Sequence, residues 1–302
     1  MGAAFTDSAL DGKVAFVAGA SQGGTGTGSA IRLAAEGARV AICARNRSKL
    51  RDTLERIEAV GGTGVMFECD LANPGGGRST LIERTEDALG PVDYLVYVAA
   101  YGGYAPFETL SRPSLQKALE VNVHAPLELI QQVVAGLRRR RAPGSIVTIG
   151  TKAARPITGP PFPDTPPATA GLLYGSTKAA LARLTQSVAV ETYGQGISVN
   201  VLSPQSAIAT PALRAAGWIP EEMFEPVETM VEAVLALLTG DPEVLTGQDL
   251  LSIDLLYALR RPVYDLTGTR LVEGWQPDDL PAFIEARSRP FTLKPPTRPA
   301  AG

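Results

Sequence analysis

Histidine is almost missing from this chain: His124 stands alone in 302 residues. A metal centre needs several ligands, and with no partner cluster His124 reads as structural, so no metal site is expected. Cysteine is nearly as scarce. Cys43 and Cys69 fall at the ends of apolar runs and read as reduced core residues of a cytoplasmic protein, not as a disulfide framework. Excess positive charge is also lacking. A net charge of −3 removes the electrostatic case for a nucleic-acid partner. The single basic run, Arg138 to Arg141, precedes Ala-Pro-Gly and reads as a solvated helix end. No apolar run reaches the roughly 18 residues of a membrane span, and the first residues carry no signal-peptide pattern, so no membrane partner is expected.

Glycine, by contrast, is concentrated in one place. The segment GASQGGTGTG, Gly19 to Gly28, gives half its positions to glycine. Each glycine costs backbone entropy on folding, so a cluster implies left-handed angles or a close approach. The apolar run VAFVA precedes it and the helical pattern SAIRLAAEG follows. Strand, glycine turn and helix together form the place where parallel sheets bind phosphates at a helix N-terminus. The segment fits neither standard phosphate loop. No lysine lies between Lys13 and Lys49, which excludes a Walker loop, and Ser29 and Ile31 stand where a G-x-G-x-x-G fingerprint needs glycine.

Apolar strands alternate with helical patterns over about 250 residues. Strands are expected at 13–18, 39–44, 64–69, 93–99, 145–150, 197–203 and 249–253. Helices are expected near 27–36, 47–60, 78–89, 114–140, 172–193 and 226–239. This alternation predicts an α/β, doubly wound, Rossmann-type parallel sheet of about seven strands with helices on both faces. Residues 155–171 contain six prolines and must form a loop. The organisation expected is a dinucleotide-binding and catalytic domain over 1–254 and a partly irregular C-terminal extension over 255–302.

A second motif is YGSTK, Tyr174 to Lys178. Four residues apart on a helix, the phenol and ammonium share one face. Alone the pair is a weak signal. In order with the glycine turn it becomes specific, and here the chain resembles the short-chain dehydrogenase/reductase family, in its single-domain branch, from about residue 11 to 254. GASQG matches that family's G-x-x-x-G, with the next glycine, Gly26, one residue late. CDL with Asp70, VNV with Asn122, GSIVTIGT, GISVNVLSP and TGQ follow in the family's order.

The resemblance implies a hydride exchange between NADP, or NAD, and a small-molecule alcohol or carbonyl. Tyr174 would be the acid/base, with an ordinary pKa near 10 that is too high for easy work at neutral pH. Lys178, with the oxidised nicotinamide, would lower it electrostatically and hold the ribose hydroxyls. Thr151, where the family usually has serine, would bond the substrate oxygen, and Asn122 would position a water linking Lys178 to solvent. Cofactor contacts are implied for Gly19, Ser21, Gln22, Gly23, Thr25, Gly26, Arg45, Asn46, Asp70, Leu71, Ala99, Ala100, Tyr174, Lys178, Pro204 and Ile208. The second strand ends in Ala44-Arg45-Asn46, with no acid for the ribose hydroxyls. Arg45 suits a 2′-phosphate instead.

Three family positions depart from pattern: YVAA at Tyr97 to Ala100, Pro204-Gln205 in place of Pro-Gly, and IDLL at Ile253 to Leu256. Tyr101, Tyr104, Trp218, Ile219, Met223 and Phe224 fall in segments that line the family's substrate cleft and point to an apolar alcohol or ketone. Two other readings stand beside this one. One is a 3-oxoacyl-thioester reductase of the same family, and the other a non-enzymatic cofactor-binding protein whose site has drifted. Family members usually pair through long helices, here 114–140 and 172–193, so a homo-oligomer, dimer or tetramer, is expected.

Overall fold

A computed structural model describes residues 10–21, 23–157, 159, 171–217 and 219–288. Gln22, Trp218, most of the proline-rich segment and the tail from 289 onward therefore lie outside the described residues. Seven strands form one parallel sheet in the order β3-β2-β1-β4-β5-β6-β9. They are β1 (Val14–Ala18), β2 (Arg39–Ala44), β3 (Thr63–Glu68), β4 (Tyr94–Tyr97), β5 (Gly144–Ile149), β6 (Ile197–Ser203) and β9 (Asp249–Leu251). Every residue of β1, β5 and β6 is buried, because helices cover both faces and leave no wet side for alternation. The doubly wound α/β sheet expected from the sequence is the fold observed.

Two apolar cores follow, one on each face. The first packs α1 (Thr25–Ala35), α2 (Arg47–Ala59) and α8 (Val227–Thr239) on the sheet, and the second packs α3 (Leu81–Leu89) and α5 (Ala125–Arg140). The helix α6 (Leu172–Thr192) lies on β6 and carries the Tyr174–Lys178 motif. The strand order reverses at β1, between β2 and β4, and open sheets of this kind bind ligands outside the carboxyl ends of the strands at such a point.

The structure refines the expected elements in three places. The long helix 114–140 is interrupted: α4 (Arg112–Leu119) and α5 flank a π turn over Glu120–His124. Buried Arg78 bonds Glu120, the first residue of that turn, at 3.0 Å and Glu128 beyond it at 2.6 Å, and also donates to the Leu71 carbonyl. Periodicity alone does not register a one-residue bulge of this kind. A small parallel pair, β7 (Ala207–Ile208) with β8 (Phe224–Glu225), follows β6 and brackets α7 (Pro211–Ala216). The last strand stops at Leu251, and Ser252 opens α9 (Ser252–Ala258). The segment beyond folds back, with Val263 and Leu280 in the first core and α10 (Leu280–Ser288) at its end.

The basic run also differs from expectation. Arg138 donates to Gln195 and the Glu191 carbonyl, and Arg140 bonds Asp93 and the Val92 carbonyl. These arginines fasten the base of the sheet as well as facing water. Among the described residues, no helix is long and apolar enough to cross a membrane, and no group of three His, Cys, Asp or Glu could hold a metal.

Candidate active site

The glycine turn is built by close approach. Gly19 has φ +95°, and a Cβ there would lie 2.6 Å from the Ala99 nitrogen; a side chain would separate β1 from β4 at the sheet's switch point. Gly23 takes φ +69°, and its amide donates to Thr27 Oγ1 at 3.3 Å. A Cβ at Gly26 would collide with the Gly19 carbonyl, so the late glycine is needed where α1 leaves the turn. The helix opens at Gly24 with no side-chain cap and no acidic residue in its first turn. Its first backbone N–H groups are thus available to an anion.

A cleft of about 740 Å³ lies above this turn. Gly19, Ser21, Thr25 and Gly26 form its floor, Arg45 and Asn46 the β2 end, Asp70 and Leu71 the β3 end, and Ala99, Ala100, Tyr174 and Ile208 the far wall. Gly23, Lys178 and Pro204 were expected among the cofactor contacts and do not line it. Gly23 shapes the turn from behind, Lys178 is buried, and Pro204 borders a second cavity of about 430 Å³ together with Thr151. Asn46 spends its side-chain oxygen as the cap of α2, accepting from Lys49 N at 2.9 Å.

Sequence reasoning missed Lys49, which also faces the cleft. Its signal was present: it lies four residues after Arg45, in the first turn of α2, beside the same strand end. Arg45 and Lys49 make no side-chain ion pair or hydrogen bond among the described residues. A nicotinamide dinucleotide fits this set of donors: uncapped helix amides for a pyrophosphate, two free cations at the β2 end, and no carboxylate there.

The acid/base group sits at the cleft's inner end. Gly175 lets α6 meet the turn Lys152–Ala154, since a Cβ there would lie 2.5 Å from the Ala153 carbonyl. That contact brings the Thr151 side chain beside the Tyr174 phenol. Thr151 Oγ1 accepts from Ala153 N at 3.2 Å and so caps the strand end. Burial pushes the Tyr174 phenol up to about 12, with the nearby Tyr104 adding to the rise and the Thr151 hydroxyl opposing it. Lys178 is 1% exposed, its ammonium donates to the Ile149 carbonyl at 2.7 Å, and burial brings it down to about 7.

Asn122 lies in the π turn, and its side chain ties that turn to two neighbouring segments. Its Oδ1 accepts from Tyr101 N at 2.8 Å, and its Nδ2 donates to the Tyr101 carbonyl and to Thr177 Oγ1, both at 2.9 Å. Both amide donors are thereby spent on holding the loop after β4 against α6. One departure from the family pattern, at the end of β4, is accommodated by a new bond. Tyr97 is fully buried and its hydroxyl donates to the Val121 carbonyl at 2.5 Å, tying β4 to the π turn. Of the expected substrate-side residues, Tyr101 faces the cleft, Tyr104 stacks 5.7 Å from the Tyr174 ring, and Met223 lines the second cavity. Phe224 is buried in β8.

A family model described as short chain dehydrogenase matches residues 13–217. The L-xylulose reductase of Mus musculus is 32% identical over 260 residues, covering 81% of this chain and 96% of its own. That of Bos taurus is 34% identical over 260 residues, covering 80% and 95%. Among solved structures, a 7α-hydroxysteroid dehydrogenase complexed with NADH and 7-oxo glycochenodeoxycholic acid is similar at TM-score 0.69 and 28% identity, over 81% of this chain and 94% of that one. A structure described as a putative 2-deoxy-D-gluconate 3-dehydrogenase from Agrobacterium tumefaciens, with bound NADP, is similar at 0.67 and 26%, over 82% and 96%. With the switch-point cleft, the glycine turn and the Thr151–Tyr174 pair in place, these likenesses show that the chain belongs to the short-chain dehydrogenase family and is an NAD(P)-dependent oxidoreductase of secondary alcohols and ketones.

Proposed function

We propose that the chain is an NADP(H)-preferring enzyme in which Tyr174 is the acid/base, Thr151 binds the reacting oxygen, and Lys178 and Asn122 hold the site in shape. The observation that carries this reading is the approach of the Thr151 side chain to the Tyr174 phenol, which lines the inner end of the cleft. The phenol would give its proton to the oxygen of a carbonyl whose carbon takes up a hydride. A bound nicotinamide would supply or take that hydride. Thr151 bonds the same oxygen and steadies the charge that grows on it. Lys178, on α6, donates to the Ile149 carbonyl and so ties the end of β5 to that helix. Asn122 acts at one remove, as the clamp on Tyr101. Gly19, Ser21, Thr25 and Gly26 would take the pyrophosphate, Asp70, Leu71, Ala99 and Ala100 the adenosine side, Arg45 with Lys49 a 2′-phosphate, and Ile208 the nicotinamide end.

The remaining features of the reading are a cytoplasmic location and self-association. Leu172 and Val190 on α6, and Tyr193 just past it, are exposed apolar side chains on one of the helices expected to pair. A dimer or tetramer at micromolar concentration is expected by light scattering, and a monomer there overturns it. The test of the activity is a panel of ketones, aldehydes and secondary alcohols scored by consumption or formation of NADPH and NADH. Robust turnover that is lost in Tyr174→Phe supports the assignment, and no turnover on any member overturns it in favour of a cofactor-binding protein.

A further inference from the structure

The residue after Pro204 is glutamine where the resemblance leads one to expect glycine. Gln205 is 5% exposed, yet its carboxamide makes no hydrogen bond to any described residue, and its Oε1 is shielded from water. Leaving a buried amide unpaired is costly, so an orphaned one points to a missing partner. Its backbone, by contrast, is pinned on both sides. Gln205 N donates to Ser252 Oγ at 3.0 Å, and its carbonyl accepts from Lys152 Nζ at 3.1 Å. The anchor at Ser252 is itself held, since Ser252 Oγ donates to Glu225 at 2.9 Å and Thr229 Oγ1 donates to the same oxygen. A residue with a fixed backbone and a free carboxamide is preorganised for a ligand. It borders the second cavity beside Thr151, with Ala207 and Met223 giving apolar walls.

We propose that Gln205 is a specificity-determining residue that hydrogen-bonds a hydroxyl next to the reacting carbon, so that preferred substrates are otherwise apolar ketones or alcohols bearing a vicinal hydroxyl. The proposal rests on the reading that Thr151 and Tyr174 take the reacting oxygen. With that oxygen claimed, a plain ketone has nothing left to offer a carboxamide. A neighbouring hydroxyl can accept from Gln205 Nε2, the end of the carboxamide that the protein does not enclose. A site built around such a bond discriminates strongly against the analogue that lacks it.

The probe is a matched pair, 3-hydroxy-2-butanone and 2-butanone, compared by kcat/KM in the wild type and in Gln205→Met, which keeps the side chain's length but removes its polar atoms. The wild type is expected to favour the hydroxyketone by about 100-fold or more, and Gln205→Met to bring the ratio within about 3-fold, chiefly through KM, with cofactor Kd unchanged. A wild-type ratio below about 3-fold overturns the inference without recourse to any variant. So does turnover of other panel members with neither butanone accepted. A Gln205→Met protein whose cofactor Kd rises about tenfold while its ratio holds assigns the amide to the nicotinamide and also overturns it. Absence of turnover on the whole panel with either cofactor removes the dehydrogenase reading and this inference with it.

Discussion

The Lys178 ammonium donates to the carbonyl of Ile149, the last residue of β5, at 2.7 Å inside the protein. A cation there has lost its water and gained a single carbonyl, which is why burial brings it down from 10.5 to about 7. Below its folded value the group must be charged in both states, and the folded protein bears the cost. Between about 7 and 10.5 the unfolded chain binds the proton and the folded one does not, so stability rises with pH across that window. Lys178→Met should be flat there. The expected outcome is that the variant's stability relative to wild type, from denaturant melts of the cofactor-free protein, declines steadily from pH 7 to 10. A constant difference across that range disproves the placement of the charge.

Glu225 makes the opposite prediction on the acid side. It is fully buried between β8 and α8, and burial raises it to about 7 despite bonds from Ser206, Ser252 and Thr229. A carboxyl with a raised folded pKa contributes stability in full below its unfolded value of 4.5, and loses it as pH rises through about 7. Cofactor-free protein should therefore lose on the order of 1 to 3 kcal/mol from pH 4.5 to 7.5 through this group. Glu225→Gln should remove that slope while leaving the rise above pH 7 intact. A variant whose melting profile keeps the acid-side slope would assign it to another group.

The chemistry is tested at Tyr174 and Thr151. Tyr174→Phe deletes the exchangeable proton and keeps the ring against Tyr104, so turnover should fall at least ~100-fold with cofactor Kd nearly unchanged. Thr151→Ser keeps the hydroxyl and should stay active, whereas Thr151→Val keeps the shape, loses the hydroxyl and should lose most of kcat. A Phe variant retaining more than a tenth of wild-type turnover, or a fully active Val variant, refutes the respective role.

The framework of this enzyme was legible because buried strands announce themselves. VAFVA, AICA and ISVNVLS can only be interior strands between helical patterns, and the parallel order follows from the crossovers. The glycine turn was legible for the same kind of reason, because Gly19 and Gly26 occupy positions where a Cβ collides with backbone. The π turn was not. What holds it is a set of contacts from Asn122 to Tyr101 and Thr177, 21 and 55 positions away in the chain, and no local period encodes them. Gln205 was visible only as a departure. That it is buried with an idle carboxamide depends on Lys152 and Ser252, which the fold brings in from elsewhere. Lys178 was read as a partner of the phenol, yet what reaches it first is the Ile149 carbonyl.

Cofactor choice turns on the end of β2. An NAD-preferring site of this architecture places a carboxylate there to accept both adenosine-ribose hydroxyls. Here Ala44, Arg45 and Asn46 line the cleft, and the Asn46 oxygen is already engaged with Lys49 N at 2.9 Å. Among the described residues no carboxylate stands at this strand end to take the 2′-hydroxyl. Arg45 and Lys49 instead put two charged donors on the same wall, and each charge-assisted bond to a 2′-phosphate is worth roughly 1.5 to 3 kcal/mol. NADPH should therefore bind about 10-fold to 1000-fold more tightly than NADH, with the gap narrowing as salt is raised. Removing either cation, in Arg45→Ala or Lys49→Ala, should cost NADPH about tenfold and leave NADH unaffected. The double change Ala44→Asp with Arg45→Ala should reverse the order, because a carboxylate then meets the ribose hydroxyls and repels the phosphate. Fluorescence titration of both cofactors against all four proteins decides it. Equal dissociation constants in the unmodified protein would sink the preference, and a loss confined to Arg45→Ala would leave Lys49 a bystander on the rim.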